Sequence, residues 1–77
     1  MTGLILFGTE GCHLCEEAED LVVQAKLKVE KRDIMDDEDW QQRYGIRIPV
    51  LLNQASGREL GWPFSLEQLR QFVSHFD

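Results

Sequence analysis

Only two cysteines occur among the 77 residues, too few to staple a small chain together as a disulfide scaffold. Positive charge is also scarce: eight Lys and Arg stand against 14 Asp and Glu, a net charge of −6 at pH 7. With no basic stripe to neutralise phosphates or anionic lipid, nucleic-acid and membrane-surface roles are set aside. No apolar run approaches the length of a membrane span or a signal-peptide core, and Gly3 to Phe7 is only strand length. Repeats, linkers and low-complexity tracts are missing. A chain this short buries only about 60–65% of the surface its unfolded form exposes, which leaves no room for a second core. One domain over residues 1–77 is expected, monomeric and cytoplasmic. There thiols stay reduced, and a lone cysteine pair points to catalysis or to metal rather than to a structural bridge.

The residues that are present form an orderly series. Leu4 to Phe7 is wholly apolar between Gly3 and Gly8, the pattern of a strand buried on both faces. Gly8-Thr9-Glu10-Gly11 is turn chemistry. From about Cys12 to Lys26, Leu14, Ala18, Leu21, Val22 and Ala25 recur at helical spacing with acidic residues between them, which predicts an amphipathic helix. Lys28 to Ile34 alternates charged side chains around Val29 and predicts a second strand. Asp36 or Asp37 is a ready cap for a second helix carrying Trp40 and Tyr44 as packing residues, and Gly45 is a natural C′ residue to end it. Ile46 to Asn53 is the next extended segment, with Pro49 at the start of its strand. Turn residues Asn53 to Gly57 separate Val50-Leu51-Leu52 from Arg58-Glu59-Leu60, so those runs predict an antiparallel hairpin. Ser65-Leu66-Glu67-Gln68 has the capping-box pattern, and Leu66, Leu69, Phe72, Val73 and Phe76 make the apolar face of a terminal helix. The order β-α-β-α-β-β-α gives an α/β fold, a four-stranded mixed sheet flanked by three helices. A right-handed crossover makes its first two strands parallel.

Cys12-His13-Leu14-Cys15 then falls where the first strand hands over to the first helix. Two residues between the thiols let a disulfide close across one helical turn. The helix N-terminus, with its unpartnered N–H groups and positive dipole end, favours a thiolate on Cys12. Cys15, one turn inside, is expected to be more buried and to resolve. A structural zinc site would need about four ligands, and only His13 and the distant His75 could join the thiolates. His13 has two readings: protonated, it would support the thiolate; otherwise it is a solvated loop residue. Trp62 likewise reads either as a substrate-facing lip or as a packing plug, and the plug is favoured.

The element order, the early Cys12-His13-Leu14-Cys15 and Ile48-Pro49 before the third strand together resemble the thioredoxin-fold superfamily over essentially the whole chain, and the length resembles glutaredoxins. Gly11-Cys12-His13-Leu14-Cys15-Glu16-Glu17-Ala18 and Gly61-Trp62-Pro63-Phe64 are similar to small bacterial glutaredoxin-like proteins, a domain family of unassigned function. The resemblance implies a cis-proline at Pro49 beside the cysteines, where Ile48 and Pro49 would hold substrate backbone. It also implies, from the second-helix position, a carboxylate contact by Gln41 or Arg43. The chain departs from glutaredoxins in having Thr9 and Glu10 where a Lys precedes the cysteines. His13-Leu14 replaces Pro-Tyr, and Gly61-Trp62-Pro63-Phe64-Ser65 replaces a Gly-Gly pair followed by Asp. Glutathione is therefore expected to bind weakly, and no other cofactor is expected. The expected activity is thiol–disulfide exchange in which Cys12 attacks and Cys15 resolves. The substrate would be a disulfide-containing protein or small molecule, and a cellular thiol would supply the electrons. The alternative is a non-catalytic adaptor, or a metal or iron–sulfur carrier that uses both cysteines as ligands.

Overall fold

The computed structural model describes residues 3–74. Phe76, expected on the terminal helix, and His75 lie outside the described residues. Strand β1 (Leu4–Gly8) leads into helix α1 (His13–Gln24) and strand β2 (Glu30–Asp33). After a 3₁₀ turn at Ile34–Asp36 come α2 (Glu38–Tyr44), β3 (Val50–Asn53), β4 (Arg58–Gly61) and α3 (Leu66–Ser74). The sheet order is β2-β1-β3-β4. β1 runs parallel to β2 and antiparallel to β3, and β3 pairs with β4 as an antiparallel hairpin.

The apolar strands work because each face of the sheet is covered. Leu4, Leu6 and Leu51 pack with Ala18 and Val22 of α1, Leu69 of α3 and Phe64. On the opposite face Ile5, Phe7 and Val50 pack with Ile34 and Tyr44, joined by Trp40. Phe7 is the centre of this second layer, stacked on Tyr44 at 4.4 Å and meeting the edge of Trp40 at 5.4 Å between centroids. Alternation with period two along β1 sends its residues to the two layers in turn.

Three boundaries differ from the sequence reading: the end of α1, the extent of β2, which is Glu30–Asp33 instead of Lys28 to Ile34, and the start of the third extended segment. α1 stops at Gln24 instead of Lys26, because Lys26 turns left-handed at φ 57°. Its N–H bonds to the Val23 carbonyl and that of Leu27 to the Val22 carbonyl, the paired bonds of a Schellman ending. Gly45 does not adopt the left-handed conformation of a C′ glycine; its φ is −49°, and a Cβ there would collide with the Gln41 carbonyl oxygen. The third extended segment is shorter than Ile46 to Asn53. Arg47 and Ile48 both donate their N–H groups to the Tyr44 carbonyl, which keeps residues 45–47 in a turn and leaves Ile46 fully exposed. The 3₁₀ turn at Ile34–Asp36 was not expected; Asp33 caps it by accepting the Met35 N–H at 2.9 Å, and Asp37 caps α2. The capping box on α3 forms as the sequence indicates: Ser65 N–H donates to Gln68 Oε1, and Gln68 N–H to Ser65 Oγ. Among the described residues no helix is long and apolar enough to cross a membrane.

Candidate functional site

The turn from β1 into α1 builds the site. Gly11, at φ 79°, reverses the chain so that Cys12 meets the helix as its N-cap residue. Cys12 N–H donates back to the Thr9 carbonyl at 3.3 Å, and the Cys12 carbonyl accepts the Glu16 N–H at 3.2 Å. Cys12 Sγ takes the place that a Ser or Asp oxygen fills at other helix starts, accepting the Cys15 N–H at 3.2 Å. The two cysteines are joined by a disulfide, with Cα atoms 5.2 Å apart. Cys12 is partly exposed, whereas Cys15 is buried beneath it. Gly8 makes that burial possible: a Cβ at this position would come within 3.0 Å of Cys15 Sγ.

Ile48 and Pro49 sit at the same end of the sheet. Phe7 pairs with Val50, so Pro49 lies one residue beyond that pair, opposite the point where Gly8 leaves the sheet for the cysteine turn. The Ile48–Pro49 peptide is cis, and Pro49 is fully buried with its carbonyl accepting the Trp62 N–H at 3.1 Å. Trp62 meets Phe64 edge-to-face at 5.1 Å and packs against the α1/α3 core layer, which is the geometry of a plug. The Trp62–Pro63 peptide is also cis, a feature not anticipated from the sequence.

His13 stays on the solvent side: its side chain is 85% exposed and its Nε2 lies 3.5 Å from Glu17 Oε2 one turn along the helix. Arg43 is turned toward Asp39 on its own helix, and the Gln41 amide donates to the Met35 carbonyl. Neither lines the groove that holds the cysteines.

That groove, about 450 Å³, opens from Cys12 and Cys15 toward β2. The sequence reading missed it. Glu10 and Glu16 flank the cysteines, Glu19 continues the α1 wall, and Lys31, Arg32, Asp33 and Asp36 close the far side. Parallel pairing of Gly8 with Asp33 and Phe7 with Arg32 brings the end of β2 alongside the cysteine turn. The signal that could have revealed it is Glu30-Lys31-Arg32-Asp33, four successive charges on a strand next to the motif.

A second polar cluster braces the Pro49 side. Tyr44 Oη donates to Glu59 Oε2 at 2.9 Å, Arg47 donates to Glu59 Oε1 at 2.8 Å, and the Arg47 guanidinium lies over the Tyr44 ring. The hydrogen bond from Arg47 holds Glu59 below the ordinary carboxylate value, against an opposing effect of burial. Burial, and then the bond to Glu59, raise Tyr44 above the ordinary phenol value.

A four-stranded mixed sheet with an N-capping Cys-x-x-Cys disulfide and a proline opposite it defines a thioredoxin-like fold. The chain belongs to the glutaredoxin-like domain family (DUF836), whose model matches residues 3–74. The structure of target protein XcR50 from X. campestris is similar at 37% identity and a TM-score of 0.86, covering 94% of this chain and 96% of that one. Protein Ne2328 from Nitrosomonas europaea is similar at 32% identity and a TM-score of 0.69, with 90% and 87% covered. Thioredoxin 1 from Thermosipho africanus TCF52B shares the fold at 11% identity and a TM-score of 0.63, with 95% and 91% covered. No curated protein matches the chain.

Proposed function

We propose that this chain is a thiol–disulfide oxidoreductase of glutaredoxin-like type. The observation that carries the reading is the position of Cys12 Sγ, partly exposed at the N-cap of α1 and already accepting the Cys15 N–H. In the reduced protein the same N–H and the helix dipole favour the thiolate on Cys12. The thiolate attacks one sulfur of a substrate disulfide. That S–S bond breaks, its electron pair and then a proton go to the departing sulfur, and Cys12 is left in a mixed disulfide. Cys15 loses its proton and attacks Cys12 Sγ, expelling the second substrate sulfur as a thiolate and closing the Cys12–Cys15 bridge. The substrate gains two electrons and the protein is oxidised by two. A cellular thiol, attacking the bridge in two exchanges, returns it to the dithiol.

In this reading Ile48 meets the substrate backbone through its carbonyl, because its N–H is held by the Tyr44 carbonyl and Pro49 is buried behind it, and the exposed His13 borders the approach. The substrates are disulfide-bearing polypeptides, the compartment is the cytoplasm, and the protein acts as a monomer. Glutathione binds weakly, in the millimolar range or poorer. Glu10 stands near the cysteines where a Lys would supply a charge contact, and Trp62 and Phe64 pack into the core where small residues would leave a pocket. Charge-assisted hydrogen bonds contribute about 1.5–3 kcal/mol each, so losing two weakens binding roughly a hundredfold or more. Titration of the oxidised protein with glutathione checks this, and saturable binding at micromolar concentration would contradict it. Among the described residues no group of three or more His, Cys, Asp or Glu is arranged to hold a metal ion. A carrier role would therefore need ligands beyond those that the described residues bring together.

The reading is tested by turnover of a protein disulfide in the presence of excess small dithiol. Wild type accelerates the reduction and Cys12→Ser does not. No acceleration by wild type would overturn the assignment.

A further inference from the structure

The groove beside the cysteines is not symmetrical in charge. Five carboxylates and two cations line it, leaving three net negative charges next to the reacting sulfurs. Both cations are already engaged: Lys31 Nζ pairs with Glu19 at 2.9 Å and Arg32 with Glu30 at 2.8 Å. Among the described residues Glu10, Glu16 and Asp36 have no cation within 4.0 Å. The groove is singled out by the disulfide in its wall; the charges decide only what it accepts. Its volume of about 450 Å³ is the size that takes a few side chains of a peptide.

We infer that the protein selects polypeptide disulfides whose cysteine is flanked by lysine or arginine, the basic side chains lying in this groove between Glu10, Glu16 and Asp36. The inference rests on the oxidoreductase reading and gives its substrate a chemical class. While Cys12 forms the mixed disulfide, residues next to the substrate cysteine are held within a few ångströms of the groove mouth, inside the Debye length of about 10 Å at 0.1 M salt. An acidic cleft concentrates cationic partners and speeds their encounter, by about tenfold or more at low salt. A substrate with acidic flanks meets the opposite field.

Three disulfide peptides of one length, with Arg, Gln or Glu beside the cystine, test the proposal. The kcat/KM of each is divided by its rate with a neutral small dithiol, which removes differences in intrinsic reactivity. The expected order is Arg above Gln above Glu, with about tenfold between the first and the last at low ionic strength. The spread should collapse near 1 M salt, where the Debye length is about 3 Å. The double variant Glu10→Lys with Asp36→Lys should lose the preference. The triple variant Gln54→Lys with Glu67→Lys and Gln71→Lys, an equal change in charge on exposed residues outside the groove, should keep it. Equal normalised rates for the three peptides would overturn the inference alone, as would equal loss of preference in both variants. Reduction of none of them would overturn the oxidoreductase reading, and the inference with it.

Discussion

Outside the motif, Gly8 lies against Cys15, and Glu59 holds Tyr44 and Arg47 in the segment that leads to Pro49. Gly8 admits Cys15 against the sheet, and the Cβ of an alanine there would stand 3.0 Å from Cys15 Sγ and 3.2 Å from its Cβ. Both neighbours belong to a buried helix residue that cannot swing away, so Gly8→Ala should cost about 1–3 kcal/mol through overpacking. Denaturant unfolding of the oxidised protein measures this, and an unchanged midpoint would mean that α1 shifts freely. Glu59 ties Tyr44 on α2 and Arg47 in the following turn to β4. Because its folded-state pKa is lowered below the ordinary 4.5, its contribution to stability is complete above about that pH and fades as pH falls through the folded value. Tyr44 has the opposite sign: its raised pKa gives stability below pH 10.0 that is lost as pH rises beyond it. Glu59→Gln should therefore lower the melting temperature near neutrality and flatten its fall below about pH 4.5. An acid limb identical to wild type would show that other carboxylates govern it. The cysteine pair and its helix-start position were legible from spacing alone. The Glu59 cluster was not, since its members lie 12 and 15 residues apart and meet only once β4 folds back on β3.

Among the elements, the starts were more legible than the ends. Capping side chains announce a start, as Ser65 and Gln68 do for α3 and Asp37 does for α2. The end of α1 carries no glycine, and Lys26 is placed in the left-handed region by the two bonds that close the helix. An L residue there pays about 1–2 kcal/mol, and glycine would recover most of that while adding about 0.4–1 kcal/mol of unfolded-state freedom. Lys26→Gly should thus stabilise the protein by roughly 1 kcal/mol or less. A rise in the denaturation midpoint at constant slope checks it; a fall would mean that the aliphatic part of Lys26 contributes packing that outweighs the backbone. The groove wall in β2 went unread for a related reason. Its charges look like an exposed edge strand, and only the parallel register of Gly8 with Asp33 sets them beside the cysteines.

At the level of the whole molecule, two apolar layers hold one sheet, and both follow from alternation along β1 and β3 combined with the helical faces of α1, α2 and α3. The topology was legible because a β-α-β unit has one allowed hand and the hairpin residues leave one pairing for β3 and β4. What the pattern could not supply was the direction of individual surface side chains: His13 toward Glu17, Arg43 toward Asp39, Trp62 into the core. The fold presents one sulfur outward and keeps the other beneath it, and on this asymmetry rests the proposed division of roles between Cys12 and Cys15. The most direct measurement is intact-mass analysis of reduced Cys12→Ser and Cys15→Ser variants after brief exposure to a disulfide-bonded polypeptide. The account predicts a stable mixed disulfide on Cys12 in the Cys15→Ser variant and no comparable adduct in Cys12→Ser. Adducts formed through Cys15 at the same rate, or none in either variant while wild type is equally inert, would contradict it.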